Sequence, residues 1–282
     1  MSAAGHAHPP PPVQERPSFG ERMREFPWWA VIMVAGIVAA FGFMLGDQNY
    51  RDVLRFLIVP ESTVEIGLGV VIKTGLMVTL YVTIVSYTFA LILGLILGIM
   101  RVSKNPVPFH VSTLYVELMR GVPMLALVLW IGFVMAPLIR EASGGRISFS
   151  SIQGAILGLS LGYAAYLAEV YRSGIEGIAH GQMEAARSLG MSYRQAMNHV
   201  ILPQAVRRVV PPLANDFVAL LKDSSLVSVL AVAELLQSSR LYVSRTFRAF
   251  EGYNSMALVY LVLTLFFIIL VRILEKRWRA RV

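Results

Sequence analysis

The sequence predicts an all-α polytopic membrane protein with six membrane helices, on three observations. The 282 residues are 56% hydrophobic and only 15% charged, with a mean hydropathy of +0.63. Apolar runs near bilayer-spanning length recur along most of the chain, where a soluble domain would alternate apolar and polar faces. Lysine and arginine gather beside those runs on one side more than on the other. The net charge of +8 therefore fits membrane topology, and nucleic acid is not an expected partner.

Residues 1–26, with a proline run at Pro9 to Pro12, read as a disordered cytoplasmic tail. No cleaved signal peptide is expected, because the first apolar run starts only at Trp28 and has no small-residue cleavage site at its end. That run, Trp28 to Leu45, predicts a first transmembrane helix within residues 27–47. The polar, partly apolar interval 46–73 follows. Run two is Gly75 to Met100. Run three is Met124 to Ile139, extended backwards by a helix from about Phe109. Run four covers Ile152 to Tyr171, run five about Pro212 to Leu236, and run six Ser255 to Ile273.

Alternate intervals hold fifteen basic residues against seven, with Lys73, Arg120 and Lys222 set aside as lying at or inside helices. The excess places both termini, and the interval from Arg172 to Arg208, in the cytoplasm. Without cysteine the chain has no disulfide, thiol nucleophile or zinc-thiolate site. His6 and His8 sit in the tail, and no histidines share a helical metal-ligand spacing. No metal site and no catalytic residue is expected, and no glycine loop with lysine is present to bind ATP in this chain.

The cytoplasmic interval is too long for a turn. Gln182 to Leu189 are good helix formers, and Gly190 falls where a left-handed cap would close the helix. Ser192 and Gln195 match a capping box that opens a second short helix, which Pro203 limits. Met183, Ala186 and Leu189 form a small apolar stripe, and Ala185 with Ala186 leaves room for another surface. The residues alone also allow a short amphipathic pair resting on headgroups.

Run five carries Asn215, Asp216, Lys222 and Asp223, costly groups in a spanning helix that mark a bundle interior, a partner or a pathway. Asp216 and Asp223 are seven residues apart and share a face, from which Lys222 is turned aside. Ser224 and Ser225 can satisfy backbone groups where the helix unwinds, and an interrupted helix points to a transporter's substrate site. An internal Lys–Asp pair that only holds the bundle together is the plainer alternative. Arg120 precedes a local break at Gly121-Val122-Pro123, and its guanidinium can hold a carboxylate through two parallel hydrogen bonds. It can also reach to headgroups or pair with Glu117. Glu169 pairs with Arg172 one turn along.

A resemblance adds to this reading. Glu184-Ala185-Ala186, three residues, Gly190, nine residues, then Val200-Ile201-Leu202-Pro203 resembles the EAA loop of ABC importer permeases, with Val200 where isoleucine is usual. The stretches "YVELMRGVPML", "AYLAEVYRSGIEGIAHGQMEAARSLGMS" and "PPLANDFVALLKDSSLVSVLAVAEL" are similar to the polar amino-acid permease branch, the histidine, arginine and glutamine type. The resemblance covers residues 69–277 and implies a five-helix permease core plus one extra N-terminal transmembrane helix. It implies that the loop at about 177–206, with Glu184, Ala185, Ala186, Gly190, Leu202 and Pro203, docks into a cytoplasmic ATPase. It also implies that Arg120, Asp216, Lys222 and Asp223 bind an amino-acid substrate, although Val122 stands where the family usually has threonine.

The partners so implied are two ABC ATPase subunits that carry ATP and Mg, a second permease subunit, identical or homologous, and an extracytoplasmic amino-acid-binding protein. The setting is the bacterial plasma membrane and its lipid. Three other readings stand beside this one. An ABC permease for another small solute would share the loop but give no reason for the arginine and acids. An ion-coupled secondary transporter using Asp216 and Asp223 would predict internal repeats, and none is convincing. A membrane-embedded enzyme would need clustered nucleophiles or ligands.

Overall fold

The computed structural model of the protein describes residues 28–58, 64–65, 71–72 and 75–279. The tail expected over 1–26, with His6 and His8, and Lys73 lie outside the described residues. The chain divides into two compact units, with the boundary between Phe43 and Met44. Helix α1 (Trp28–Gly46) makes up the described part of the first unit and ends in the second. Its apolar side chains, Ile32, Val34 and Val38 among them, are exposed on several sides, as suits contact with lipid.

The second unit begins with an element that the sequence reading did not predict. Asp47 caps helix α2 (Gln48–Ile58) by accepting from the backbone N–H of Asn49 at 2.7 Å and of Tyr50 at 3.3 Å. α2 is amphipathic: Tyr50, Val53, Leu54 and Leu57 are buried, while Arg51, Asp52 and Arg55 are exposed. Two short strands, β1 (Val64–Glu65) and β2 (Val71–Ile72), pair antiparallel. Then come α3 (Gly75–Arg101), α4 (Pro106–Gly121), and a span built of α5 (Met124–Trp130), a π turn at Ile131–Met135 and α6 (Ala136–Ala142). Next is α7 (Ser151–Glu176), whose start is fixed by a reciprocal Ser150–Gln153 capping box.

The short helix pair follows as α8 (His180–Ser188) and α9 (Tyr193–Ala196), and a π turn at Met197–Ile201 leads into α10 (Leu202–Asp223). A 3-10 segment at Ser224–Leu230, α11 (Leu235–Thr246) and α12 (Ala249–Arg279) complete the chain.

Among the described residues, four helices are long and apolar enough to cross a membrane alone: Gly75–Arg101, Met124–Ala142, Ser151–Glu176 and Ala249–Ile273. α1 qualifies only when taken together with α2. The fifth apolar run differs from expectation, because it is no single helix. α10 ends at Asp223, the chain tightens into 3-10 turns, and Ala231 takes a left-handed conformation at φ 58° before α11 begins. Serine causes the change: Ser224 Oγ donates to the Leu221 carbonyl at 2.7 Å and Ser225 Oγ to the Lys222 carbonyl at 2.9 Å. Those carbonyls are thereby satisfied where the helical ladder loosens.

Pro203 also corrects an expectation, since it does not end the second short helix of this loop. Leu202 N donates to the Met197 carbonyl, five residues back. This wider turn resets the ladder before a residue that has no N–H to give.

The centre of the second unit is the seam between α3 and α7. A Cβ added at Gly94 would stand 2.8 Å from Leu167 Cβ and 3.0 Å from the Ala164 carbonyl, and one at Gly98 would stand 2.7 Å from Tyr171 Cβ. Small residues one turn apart let the two backbones close up, which is how helices associate where lipid offers no hydrophobic drive. Ser86 and Ser160 reinforce the seam, with Ser160 Oγ reaching the Ser86 carbonyl at 3.3 Å. Beside it, Val78, Val82, Val128, Ile152, Leu159, Val227 and Leu230 form a buried cluster around the 3-10 segment. Gly98→Leu is expected to overpack this seam by roughly 1–3 kcal/mol. It should lower the melting temperature of the detergent-purified protein, and an unchanged melt would contradict the packing account.

Candidate functional site

Two sites emerge, one among the spanning helices and one in the loop that carries α8 and α9. α10 carries the first. Asp223, at its last turn, accepts from the Tyr163 hydroxyl of α7 at 2.8 Å. Asp216, two turns earlier on the same face, lies within electrostatic reach of Tyr87 and Tyr163. The Tyr87 hydroxyl donates to the Leu213 carbonyl and its ring meets Phe217 edge-on at 5.2 Å, which ties α3 to α10 on this face.

The Tyr163 ring lies 5.9 Å from Tyr166, and the Arg120 guanidinium stands over the Tyr166 ring at 5.6 Å. A chain of contacts therefore runs Arg120, Tyr166, Tyr163, Asp223. It joins a cation on α4 to a carboxylate on α10 through two aromatic rings of α7. Asp216 and Asp223 are half-buried, whereas Arg120 is exposed.

The tyrosines were missed in the sequence. Their signal was legible in principle, since a tyrosine hydroxyl within an apolar run needs a polar partner and Tyr163 and Tyr166 stand one turn apart. Lys222 does not join this surface. It lines a separate groove of about 360 Å³ with Ser225, Leu236, Met256, Ala257, Tyr260, Leu261 and Thr264. Among the described residues it forms no ion pair.

Glu169 is engaged as expected, by Arg172. It is also engaged by Arg101 at 3.0 Å, which stands 4.0 Å from Glu117, so these charges clamp the ends of α3, α4 and α7. Another buried acid went unnoticed in the sequence. Glu234 caps α11 through the N–H groups of Leu236 and Gln237, both at 2.8 Å, and accepts from the Tyr260 hydroxyl at 2.6 Å. It holds α11 to α12 just after the 3-10 segment.

The second site is the α8–α9 turn. Met191 N donates to the Ala186 carbonyl at 3.2 Å and Gly190 N to the Arg187 carbonyl at 3.0 Å, a Schellman closure with Gly190 at φ 84°. Ser192 and Gln195 form the expected capping box. Glu184 and Ala185 are exposed and Ala186 is buried. Leu189 is 81% exposed, so the expected apolar stripe splits between an inward and an outward part. Leu202 and Pro203 are exposed at the start of α10. A concavity of about 350 Å³ lies at the turn, lined by Leu189, Gly190, Met191, Gln195 and His199.

The turn is braced to the helices behind it. Gln204 Nε2 on α10 donates to Gln182 Oε1 on α8 at 3.3 Å, and Arg208 donates to the Gly177 carbonyl at the end of α7. α10 thus runs from the turn to the charge surface, about 18 Å from Gln204 to Asp216 at 1.5 Å per residue. No group of three or more His, Asp or Glu able to hold a metal occurs among the described residues.

The chain is a polytopic helical membrane protein with an outlying helical turn braced to a charge-bearing helix. Comparison with known proteins gives the family. Residues 90–280 match the family of binding-protein-dependent transport system inner membrane components, and the chain belongs to that family. It is 39% identical over 202 residues to a probable amino-acid permease protein, YxeN, of Bacillus subtilis, covering 72% of this chain and 88% of that one. It is 31% identical over 205 residues to the glutamine transport system permease protein GlnP of Escherichia coli, covering 73% of this chain and 91% of that protein. A solved structure described as an amino acid ABC transporter with histidines superposes with a TM-score of 0.66 at 35% identity, covering 72% of this chain and 92% of that chain. The chain is thus an inner-membrane permease component, and the secondary-transporter and enzyme readings are not favoured.

Proposed function

We propose that the chain is the permease subunit of an ATP-driven importer of polar amino acids. The observation that carries the substrate class is the run of contacts from Arg120 through Tyr166 and Tyr163 to Asp223. Every α-amino acid presents a carboxylate and an ammonium, and this surface offers a guanidinium and two acids across aromatic walls. Arg120 takes the carboxylate, Asp223 the ammonium, and Asp216 reads a polar or cationic side chain. The relatives named for amino acids and glutamine support the same reading.

The turn formed by Glu184, Ala185, Ala186 and Gly190, with Leu202 and Pro203 behind it, seats in a groove of one of two ATPase subunits, which carry ATP and Mg, and the second permease subunit engages the other. Closure of the ATPases moves the turn. Gln182–Gln204 and Arg208–Gly177 pass that movement to α10 and α7, so the charge surface faces alternately outward and inward. An extracytoplasmic binding protein delivers the substrate. Both termini and the turn are cytoplasmic, following the fifteen-to-seven excess of basic residues.

A second permease subunit covers the face that bears Lys222. An ammonium held against hydrocarbon costs about 2.5–3.5 kcal/mol on insertion scales, so the groove it shares with Tyr260 and Thr264 belongs to protein and not to lipid. Lys222 then serves as a second carboxylate-binding cation at that subunit boundary. The extra helix over residues 27–47, the permease core over 69–277 and the tail over 1–26 complete the proposed domain plan.

Purification of the tagged chain from its own cells, followed by reconstitution with the co-purifying proteins, tests the proposal. The expected result is a co-purified ABC ATPase and uptake of a polar amino acid that requires ATP and the binding protein. Uptake driven by an ion gradient, with no ATPase bound, would overturn it.

A further inference from the structure

Glu117 and Arg120 stand one turn apart on α4, at the spacing where opposite charges pair along a helix. The structure leaves them unpaired. Arg120 turns its guanidinium over the Tyr166 ring at 5.6 Å, and Glu117 brings Oε1 to 4.0 Å from Arg101 Nη2 on α3. Arg120 forms no ion pair among the described residues. A guanidinium that is to take a substrate carboxylate has to be open in this way, so what keeps Glu117 from it bears on binding.

A second acid lies within electrostatic reach of Arg120, and it too is engaged elsewhere. Glu169 on α7 gives Oε1 to Arg172 Nη2. Its Oε2 accepts from Arg172 Nε at 3.1 Å and from Arg101 Nη1 at 3.0 Å. Arg172 also pairs with Glu176. Among the described residues, Arg101 alone engages both Glu117 and Glu169.

The shape of Arg101 explains how it can act on Glu117. Its side chain is only 12% exposed, and Nη1 is committed to Glu169. The side edge of the guanidinium, Nε with Nη2, is not filled. Nε is buried and has no hydrogen-bond partner, and Glu117 at 4.0 Å from Nη2 is beyond hydrogen-bond length. A buried donor left open is costly, and a carboxylate closing side-on supplies two parallel bonds to that edge. Glu117 is 69% exposed, so its carboxylate has room to turn between the Arg101 edge and Arg120.

We propose that Arg101 is a positioning residue for substrate binding, which draws Glu117 off Arg120 and keeps that guanidinium open for the substrate carboxylate. Without Arg101, Glu117 closes on Arg120 as an internal carboxylate that competes with the substrate's own. This rests on the reading of Arg120 as the carboxylate contact. The competition sets a population, because apparent affinity falls with the fraction of molecules whose guanidinium is free. An exposed ion pair toward the upper end of ordinary strength leaves about one molecule in five free, which weakens binding about fivefold.

The test is equilibrium binding of labelled arginine and glutamine to the purified complex of the permease with its ATPase in nanodiscs. Arg101→Gln should weaken both amino acids about fivefold. Glu117→Gln should bind as the parent does, since its amide carries no charge with which to capture Arg120. The double variant Arg101→Gln with Glu117→Gln should return to within about twofold of the parent, a coupling between the two positions. Agmatine, which is arginine without its carboxylate, should compete equally in all four proteins. The loss of a helix clamp would behave differently, lowering the melting temperature and the affinity of Arg101→Gln and the double variant alike.

Parent affinity in Arg101→Gln, or a loss that persists in the double variant, would overturn the proposal. Arg120→Lys separates that outcome from failure of the reading beneath it. If Arg120→Lys is weakened while Arg101→Gln is not, the carboxylate contact stands and the role of Arg101 falls. If Arg120→Lys binds both amino acids as the parent does, or the parent binds neither, the reading of Arg120 falls and takes this proposal with it.

Discussion

Gly190→Val is expected to lower uptake roughly tenfold while leaving the membrane core folded. The reason is backbone geometry alone, since Gly190 holds φ at 84° and a Cβ added there would meet nothing within 4 Å. For a side-chain-bearing residue the left-handed conformation costs about 1–2 kcal/mol, and a β-branched residue is the worst case. The Schellman closure from Met191 to Ala186 and from Gly190 to Arg187 would open, and the angle between α8 and α9 would no longer be fixed. A population shift of roughly tenfold or more away from the competent turn follows from that cost. Gly190→Asn tests the cause, because asparagine tolerates the left-handed region and should keep most of the activity. Glu184→Arg, on the exposed face of the same helix, should release the ATPase with the turn intact. Melting temperature, ATPase co-purification and uptake measured on all three variants separate these effects. Uptake by Gly190→Val at the parent's rate would remove the turn from the coupling path.

The two sites were unequally legible in the sequence. At the α8–α9 turn every controlling signal is local: helix formers up to Leu189, Gly190 in the closing position, and Ser192 three residues before Gln195. The structure forms that turn as the residues dictate. Pro203 misled because a π turn is invisible to period counting, and a one-residue shift of register lets α10 accept a proline near its start. The fifth run misled for the opposite reason. Its hydropathy is continuous from Pro212 to Leu236, while the helix ends at Asp223 because serine hydroxyls and a left-handed Ala231 change the backbone without changing apolarity. α2 was passed over inside an interval read as polar, although its apolar residues recur at helical spacing. In the intramembrane surface the acids were found because charge is conspicuous in an apolar run. The tyrosines that connect them to Arg120 were not, since tyrosine counts as apolar until a partner on another helix is known. The side on which Lys222 falls depends on where α11 and α12 pack, which no local pattern states.

Asp223→Asn should cost more transport than any other single change on the intramembrane surface. Asparagine keeps an oxygen that can accept from the Tyr163 hydroxyl, now at 2.8 Å from Asp223 Oδ2, so the contact between α7 and α10 survives and the melt should be unaltered. What is lost is the charge that faces the substrate ammonium. A hydrogen bond to a charged group contributes about 1.5–3 kcal/mol, which is roughly 10- to 150-fold in the concentration needed for half-maximal uptake. Tyr163→Phe provides the opposite control, since the carboxylate then keeps its charge and loses only the hydroxyl that orients it. A smaller effect is expected there, on the order of fivefold, from a bond of about 1 kcal/mol. Asp216→Asn should act on selectivity, weakening cationic amino acids more than glutamine, because Asp216 lies two turns from Asp223 and is placed to meet a side chain. Arg120→Lys retains a positive charge but loses the planar stacking on Tyr166 and the paired geometry for a carboxylate, so all α-amino acids should weaken together. Uptake at a series of substrate concentrations in proteoliposomes measures each of these. Equal half-maximal concentrations for the parent and Asp223→Asn would take the ammonium site away from α10. A loss in Asp216→Asn that is the same for glutamine and arginine would take the side-chain reading away from Asp216.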